Sequence, residues 1–405
     1  MKVLIANRGE IARRIIRSCQ DWGVPTVAVY ADPDADAPFV ADADEAVWIG
    51  PAELAKSYLA VEAILGAAAT SGATHIHPGY GFLSERADFA QAVIDAGLGW
   101  IGPRPNAIES MGSKIEARSI AEAAGVPVIP GYNESQEDDD LREAATNIGY
   151  PILVKASAGG GGKGIRIAFA PEDFDQALNE ARTESMRSFG DDAVIVERFI
   201  TQPRHVEVQV AGDRAGNAID LGTRECSVQR RYQKVLEEAP APNLLPATRS
   251  GLRSSAAALT RSIGYDTVGT VEFIVDTANG DFFFLEMNTR IQVEHTVTEE
   301  VCDLDLIHLQ ILLATGADLP IDGDYFDANV HGHAFEARIN AEDSWAGHIP
   351  QTGVVSTLEV PRSPHIRWDA AIEAGAEITP HYDSMIGKLI VHASSRSQAL
   401  AHLDA

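Results

Sequence analysis

Cysteine is nearly absent from this sequence: Cys19, Cys226 and Cys302 stand far apart among 405 residues. An odd count with no C-x-x-C pair argues against a disulfide framework or a zinc site, and it fits a reducing compartment, read here as the cytoplasm. Long apolar runs are missing too. No stretch reaches the roughly eighteen residues of a membrane span. The start, M-K-V-L-I-A-N-R-G-E, breaks into charge too early for a signal peptide. Basic residues are scarce, 32 against 59 acidic ones, for a formal charge of −27. That balance disfavours nucleic acid or an anionic membrane as a partner, and any anionic substrate must be drawn in by locally placed lysines and arginines. What is plentiful is apolar surface. With 45% hydrophobic residues over this length, two or three domains can each bury a core.

The first hundred residues alternate strand and helix. K-V-L-I-A (2–6) and P-T-V-A-V-Y (25–30) read as strands around a helix over 7–23 that closes at Gly23. Helices over 57–70 and 84–97 lead to T-H-I-H-P (74–78) and G-W-I-G (99–102). This alternation predicts a doubly wound parallel sheet, with ligand-bearing loops such as N-R-G-E and H-P-G-Y-G-F at its strand ends. A helix over 113–124 follows, then an acidic stretch at 134–140 that reads as a solvated helix start. Residues 133 to 200 read as a small α+β unit, with a helix over 172–188 and a strand over 193–200. Past 200 strands dominate (205–211, 217–222, 270–276, 281–288), interrupted by helices near 249–263 and 303–316.

Between the strands Y-P-I-L-V-K (150–155) and I-R-I-A-F-A (165–170) lies A-S-A-G-G-G-G-K-G. Gly159, Gly161 and Gly164 satisfy G-x-G-x-x-G, but a strand follows where a dinucleotide site needs a helix. Lys163 is followed by Gly164, which excludes a Walker loop. The loop reads as a lid whose backbone N–H groups, at Gly161 and Gly162 among others, can lie on phosphates and swing away. Lys155, Lys163 and Lys114 supply charge.

The stretch L-E-M-N-T-R-I-Q-V-E-H (285–295) carries the chemistry. Read as one extended strand, it puts Glu286, Asn288, Arg290, Gln292 and Glu294 on one face. Asn279-Gly280 marks a hairpin that brings Glu272 alongside, given a bulge or an odd loop. Glu272, Glu286 and Asn288 are hard oxygen donors suited to Mg²⁺ or Mn²⁺ with nucleotide phosphates. Arg290 offers a planar fork to a small planar anion, and Glu294, if ionised, can take that anion's proton. His75 and His77 read as locally hydrogen-bonded, not catalytic. A zinc role for His205 is not expected, because no cysteine or carboxylate accompanies it at ligand spacing.

Eight blocks in order carry a resemblance that spans the chain: A-N-R-G-E-I-A, H-P-G-Y-G-F-L-S-E, K-A-S-A-G-G-G-G-K-G, P-R-H-V-E-V-Q-V, R-R-Y-Q-K-V-L-E-E-A-P-A-P, E-M-N-T-R-I-Q-V-E-H, R-I-N-A-E-D and Y-D-S-M-I-G-K-L-I. The chain resembles the biotin carboxylase component of biotin-dependent carboxylases. R-R-Y-Q-K and the acidic composition are similar to actinobacterial acetyl- or propionyl-CoA carboxylase α-chains.

The resemblance implies an ATP-grasp fold, α/β and α+β. Its parts would be an N-terminal doubly wound domain (1–112), a linker helix with a small mobile lid domain (113–200), an ATP-grasp catalytic part (201–320) and a mostly antiparallel C-terminal domain (321–405) that runs on past residue 405. It implies an ATP-dependent ligase that carboxylates carrier-linked biotin with bicarbonate, using Mg²⁺ or Mn²⁺. Lys114, Lys155, His205 and Gln229 would contact ATP, with Glu197 and Ile200 holding the adenine through their backbone. Glu272, Glu286 and Asn288 would hold the metals. Arg290, Gln292, Lys234 and the Val293 backbone would bind bicarbonate. Glu294 would be the base, and Arg338 would stabilise the biotin enolate unless it only pairs with Glu336 or Glu342.

A biotin carrier, a carboxyltransferase and a second copy of the chain are the implied partners. No A-M-K-M biotinylation motif occurs here, so the carrier is expected elsewhere. Tyr232 stands where many bacterial relatives carry histidine, and H-I-P-Q-T-G (348–353) replaces the usual F-L-P-S-x-G. Readings left open are the same half-reaction within a pyruvate carboxylase, another ATP-grasp ligase, and a non-catalytic nucleotide-binding subunit.

Overall fold

The parallel sheet forms because its central strands, V-L-I and T-V-A-V-Y-A, are almost wholly apolar and bury both faces. Strand order is Glu45–Gly50, Thr26–Ala31, Val3–Ile5, His75–His77, Gly99–Trp100, all pairings parallel. Leu4, Val27, Val29 and Ile76 pack on one side against Ile64, Phe89 and Val93 of the helices Val61–Ser71 and Ala87–Asp95. Val3, Ile5 and Ala28 pack on the other against Ile11, Ile15 and Ile16 of the helix Gly9–Asp21. This is the doubly wound arrangement expected of the N-terminal region.

The computed structural model describes residues 1–156, 165–189 and 191–405. Compactness divides them into two units, Met1–Val126 with His205–Phe273 and Leu285–Ala405, and Pro127–Arg204 with Ile274–Phe284. In the second, a sheet ordered Gly131–Tyr132, Val194–Arg198, Ile152–Ala156, Ile165–Ala168 is backed by the helices Asp138–Ile148 and Phe174–Phe189. The acidic stretch ends as Asp138, Asp139 and Asp140 in a helix's first turn, where the macrodipole favours them. Gly161, Gly162 and Lys163, and with them the lid reading, lie outside the described residues.

An eight-stranded sheet runs Phe282–Asn288, Val268–Asp276, Pro203–Gly212, Ala218–Arg230, Gln233–Ala239, His333–Asn340, Met385–Ala393, Ile366–Ala370. From Pro203–Gly212 onward, neighbouring strands pair antiparallel. The helix read over 113–124 is Lys114–Ala123, with Ser113 Oγ accepting the Glu116 N–H and Gly125 in the left-handed region at φ 74° beyond its end. The helix read near 303–316 is Leu306–Ala314, and a helix the sequence reading did not include, His295–Cys302, precedes it. Asp303, at φ 48°, breaks them, and Asp305 caps the second by accepting the His308 N–H at 2.9 Å. Cys19, Cys226 and Cys302 are free and buried. Among the described residues no helix is long and apolar enough to cross a membrane.

Candidate active site

One face of the eight-stranded sheet is built from valines alternating with charged or polar residues, as in H-V-E-V-Q-V, and those polar residues meet one another. Arg224, with no exposed surface, donates from Nε to Glu207, from Nη1 to Gln209 (2.6 Å) and Thr298 (2.9 Å), and from Nη2 to Thr270 (3.0 Å) and Gln292 (2.8 Å). Lys234 Nζ lies among three carboxylates: Glu207 at 2.6 Å, Glu272 at 2.9 Å and Glu294 at 2.6 Å. Burial works against its charge, but Glu207 and Glu294 hold the ammonium well above the ordinary lysine range.

The strand expected to run through 294 ends at Asn288. Residues 289–293 form an irregular turn, and Glu294 is the N-cap of the helix His295–Cys302, at φ −81°, ψ 10°. Strict alternation is therefore wrong beyond Asn288, yet the expected polar groups still converge. Ile291 turns into the apolar core, and the polar side chains gather around Glu272. Asn288 Nδ2 donates to Glu272 Oε1 at 2.9 Å and Gln292 Nε2 to the same oxygen at 2.7 Å. Arg290 Nη2 donates to Asn288 Oδ1 at 2.9 Å, and its Nε lies 2.9 Å from Glu85 Oε2, from the H-P-G-Y-G-F-L-S-E loop.

Glu294 is held at both oxygens, by Lys234 and by Arg338 Nη2 at 2.9 Å. Burial alone would neutralise it. Lys234, Arg338 and Arg224 outweigh that and hold it well below the usual carboxylate range, so it is ionised at neutral pH. Arg338 also donates from Nε to Glu237 at 2.7 Å. Its partners are thus Glu237 and Glu294, not Glu336 or Glu342; Glu342 pairs with Arg230.

His205 does have carboxylate neighbours, contrary to the sequence reading: its Nε2 lies 2.8 Å from Glu272 Oε2 and 4.0 Å from Glu207. His205, Glu207 and Glu272 could in principle surround an ion. Lys234's ammonium already bonds both carboxylates, so the cation position is supplied by the protein. Glu286 differs. Burial first, then the charge of Glu272, pushes its carboxyl up, with Lys114 opposing. Among the described residues it has no ion-pair partner. Two crowded carboxylates beside an amide oxygen are a donor set that a hard divalent cation would relieve. His77 accepts the Gly79 N–H at Nδ1 (3.0 Å) and is pushed down to about 3 by burial, so it stays neutral. His75 bonds Thr74.

Family models of the biotin carboxylase N-terminal domain, of the carbamoyl-phosphate synthase L chain ATP-binding domain and of the biotin carboxylase C-terminal domain match residues 1–108, 113–322 and 336–405. A biotin carboxylase of Allochromatium vinosum is 47% identical over 404 residues, covering 99% of this chain and 89% of its own. The chain belongs to the biotin carboxylase family.

The mitochondrial methylcrotonoyl-CoA carboxylase subunit alpha of Oryza sativa is 50% identical, and this chain spans 54% of it. The chain thus covers about half the length of several curated relatives. A bicarbonate-bound biotin carboxylase domain of a thermophilic 2-oxoglutarate carboxylase superposes with a TM-score of 0.93 at 41% identity, covering 99% of this chain and 88% of that one. The Campylobacter jejuni biotin carboxylase–β-γ-ATP complex gives 0.89 at 41% identity, covering 99% and 89%. The fold is therefore that of the ATP-grasp biotin carboxylases.

Of the residues expected to contact nucleotide, in the larger unit Lys114 opens its helix on the surface, and Gln229 Nε2 lies 3.2 Å from His205 Nδ1. In the smaller, Lys155 Nζ pairs with Glu197 Oε2 at 2.6 Å, and Ile200 is buried. Tyr232 is 86% exposed at a two-residue hairpin tip, φ 66°. Sequence reasoning passed over Glu207, Arg224, Glu237 and Lys388, and it named Glu336 only as a pairing partner for Arg338. The signal was present: charged residues alternating with valine or alanine in P-R-H-V-E-V-Q-V and F-E-A-R-I-N mark a polar inner face.

Proposed function

We propose that the chain performs the biotin carboxylase half-reaction, carboxylating carrier-linked biotin with bicarbonate at the expense of MgATP. The observation that carries this reading is the buried Glu294 at the N-terminus of a helix, held at one carboxylate oxygen by Lys234 and at the other by Arg338. Bicarbonate would lie on Arg290, Lys234, Gln292 and the Val293 N–H. There Glu294 Oε takes its proton, and a bicarbonate oxygen bonds to the γ-phosphorus as the bond to ADP breaks, giving carboxyphosphate. An arriving anion shares the positive charge that now depresses Glu294, so the carboxylate becomes more basic when substrate is bound. Arg338 then steadies the negative ureido oxygen of biotin as N1 gives up its proton to the departing phosphate and bonds to the carboxyl carbon, the carbon–phosphate oxygen bond of carboxyphosphate breaking. Glu272, Glu286 and Asn288 would hold Mg²⁺ or Mn²⁺, which offsets charge on the nucleotide phosphates.

The smaller unit suits a nucleotide lid: Ile165, Ile167 and Phe169 are partly or largely exposed on and after its edge strand, near the Lys155–Glu197 pair. An acyl-CoA is the final acceptor we favour. The methylcrotonoyl-CoA carboxylase relative and an acyl-CoA carboxylase alpha3 subunit of Mycobacterium leprae reach 50% and 48% identity, against 43% for the biotin carboxylase subunit of a pyruvate carboxylase and 38% for a Rhizobium etli pyruvate carboxylase. A biotin carboxyl carrier domain or protein, a carboxyltransferase and a dimeric assembly complete the proposal. Free buried cysteines fit a reducing cytoplasm, although the rice relative is named as mitochondrial.

The test is ATP cleavage with bicarbonate and free biotin. The wild-type chain is expected to speed up when both are added, and Glu294→Gln to lose that response while binding ATP normally. Loss of ATP affinity in the variant would mean the base is misassigned. A wild-type chain indifferent to both additions would favour a non-catalytic subunit.

A further inference from the structure

Lys388 is the one lysine among the described residues whose side chain has no exposed surface. It sits on the strand Met385–Ala393 directly across from Arg338. Glu336 is two residues before Arg338 on the same face, and Glu237 lies opposite Glu336 on the next strand. These four residues form a charged floor under a single turn. Lys388 Nζ donates to the Val293 carbonyl, Arg338 to Glu294, and Thr296 Oγ1 donates to Glu336.

A buried ammonium costs several kcal/mol unless it is paired and hydrogen-bonded. The nearest carboxylates are Glu336 Oε2 at 3.7 Å and Glu10 Oε1 at 3.8 Å, beyond hydrogen-bond reach. The ammonium's hydrogen bond goes instead to a main-chain carbonyl beside the expected base. That choice has a consequence for the turn. Residues 289–293 make no ladder or helix of their own, so their direction depends on outside ties. Fixing the Val293 C=O fixes the plane of the peptide whose other end is the Glu294 N–H, because the unit is rigid. That plane carries the Cα atoms of both Val293 and Glu294, so it sets the points from which the Val293 N–H, on the preceding peptide, and the Glu294 side chain extend.

We propose that Lys388 is a positioning residue: its buried ammonium, bonded to the Val293 carbonyl, holds the backbone from which bicarbonate is bound and deprotonated. This rests on the biotin carboxylase reading above. Lys388 touches no substrate, and it acts through the turn.

Lys388→Met alone leaves Glu10 and Glu336 uncompensated and risks unfolding, so the informative variant is Lys388→Met with Glu336→Gln, compared with Glu336→Gln alone. Two readouts are taken on the full chain: bicarbonate- and ATP-dependence of ATP cleavage, and amide hydrogen exchange across 290–296 without substrate. Expected are a rise of about tenfold or more in KM for bicarbonate or a comparable fall in kcat, the size that small misplacements of reacting groups produce. KM for ATP should stay within about twofold, and 290–296 should exchange faster. Lys388→Arg, which keeps a charged donor, should recover part of both. Unchanged bicarbonate kinetics with unchanged exchange would overturn the proposal, as would equal rises in both KM values. If the wild-type chain shows no bicarbonate response, the functional reading fails by itself, and the exchange comparison still decides whether Lys388 holds the turn.

Discussion

The two sheets of the larger unit are buried by opposite means. In the parallel sheet, alternate residues of each strand point into two apolar layers, Leu4, Val27 and Val29 on one side and Val3, Ile5 and Ala28 on the other. In the eight-stranded sheet, residues as deeply buried include Glu207, Gln209, Arg224, Glu237, Glu336 and Lys388. The first is held by removal of apolar surface from water, a sum of small terms that tolerates local loss. The second is held by mutual satisfaction of charges, where each group is costly unless its partners stay. Stability alone does not call for the second kind of interior, since well-packed apolar residues often serve as well. The role proposed for Glu294 would account for the buried charge, since a base there has to stay ionised and aimed in a place that can exclude water.

The largest effect should come from breaking the charged interior. Arg224→Met leaves Glu207 buried with Lys234 as its remaining cationic partner and removes donors to Gln209, Thr270, Gln292 and Thr298. A loss of about 3–5 kcal/mol in denaturant unfolding is expected. Adding Glu207→Gln should return a good part of it, and a double-mutant cycle with no coupling would sink the claim that the sheet is held by pairing. The matching change in the apolar sheet, Ile5→Ala, should cost about 2–4 kcal/mol through lost burial and a residual cavity. Ile5 brings no polar group to the candidate site, and only the core cluster it shares with Ile291 links it there, so activity per folded molecule should fall much less than in Arg224→Met. If Ile5→Ala reduced it as strongly as Arg224→Met, the contrast between the sheets would be wrong.

What could be read from sequence divides along the same line. The parallel region was legible because Leu4 and Val29 sit in short apolar runs separated by a helix whose end Gly23 marks, all local signals. Of the residues expected to hold a metal, Glu286 and Asn288 do share a strand, as their alternation in sequence implied. Residues 289 to 294 misled: T-R-I-Q-V-E alternates as a strand would, but the chain turns where Ile291 drops into the core and Glu294 caps a helix. Nothing local distinguishes the two. The floor beneath was illegible for another reason. Glu237, Arg338 and Lys388 are far apart in sequence and meet only through the pairing of three strands, whose registers are set by the whole sheet. Arg338 accordingly found Glu237 and Glu294 across strands, not the near neighbours Glu336 and Glu342.

The smallest and finest test concerns the protons in that floor. Burial first, partly offset by Arg338 and reinforced by Glu336 and Glu294, pushes Glu237 up to about 8. An unfolded glutamate titrates near about 4.3. The folded chain therefore keeps a proton that the unfolded chain gives up, and the stability this group contributes is full below about pH 4 and is lost as pH rises to about 8. Glu272, held at about 2 by His205 and Lys234 against its burial, has the opposite sign and titrates below this window. Glu336, pushed up to about 7 by burial, lies inside it but is present in wild type and variant alike. Glu237→Gln mimics the protonated acid and can still accept from Arg338 Nε. Its melting temperature relative to wild type should therefore climb between pH 5.5 and pH 8.5, by a few degrees on the scale set by about 1.4 kcal/mol per pKa unit. A flat difference across that range would mean Arg338 keeps Glu237 ionised throughout, and the charged sheet would then carry one more fixed negative charge beneath Glu294 than this proton placement allows.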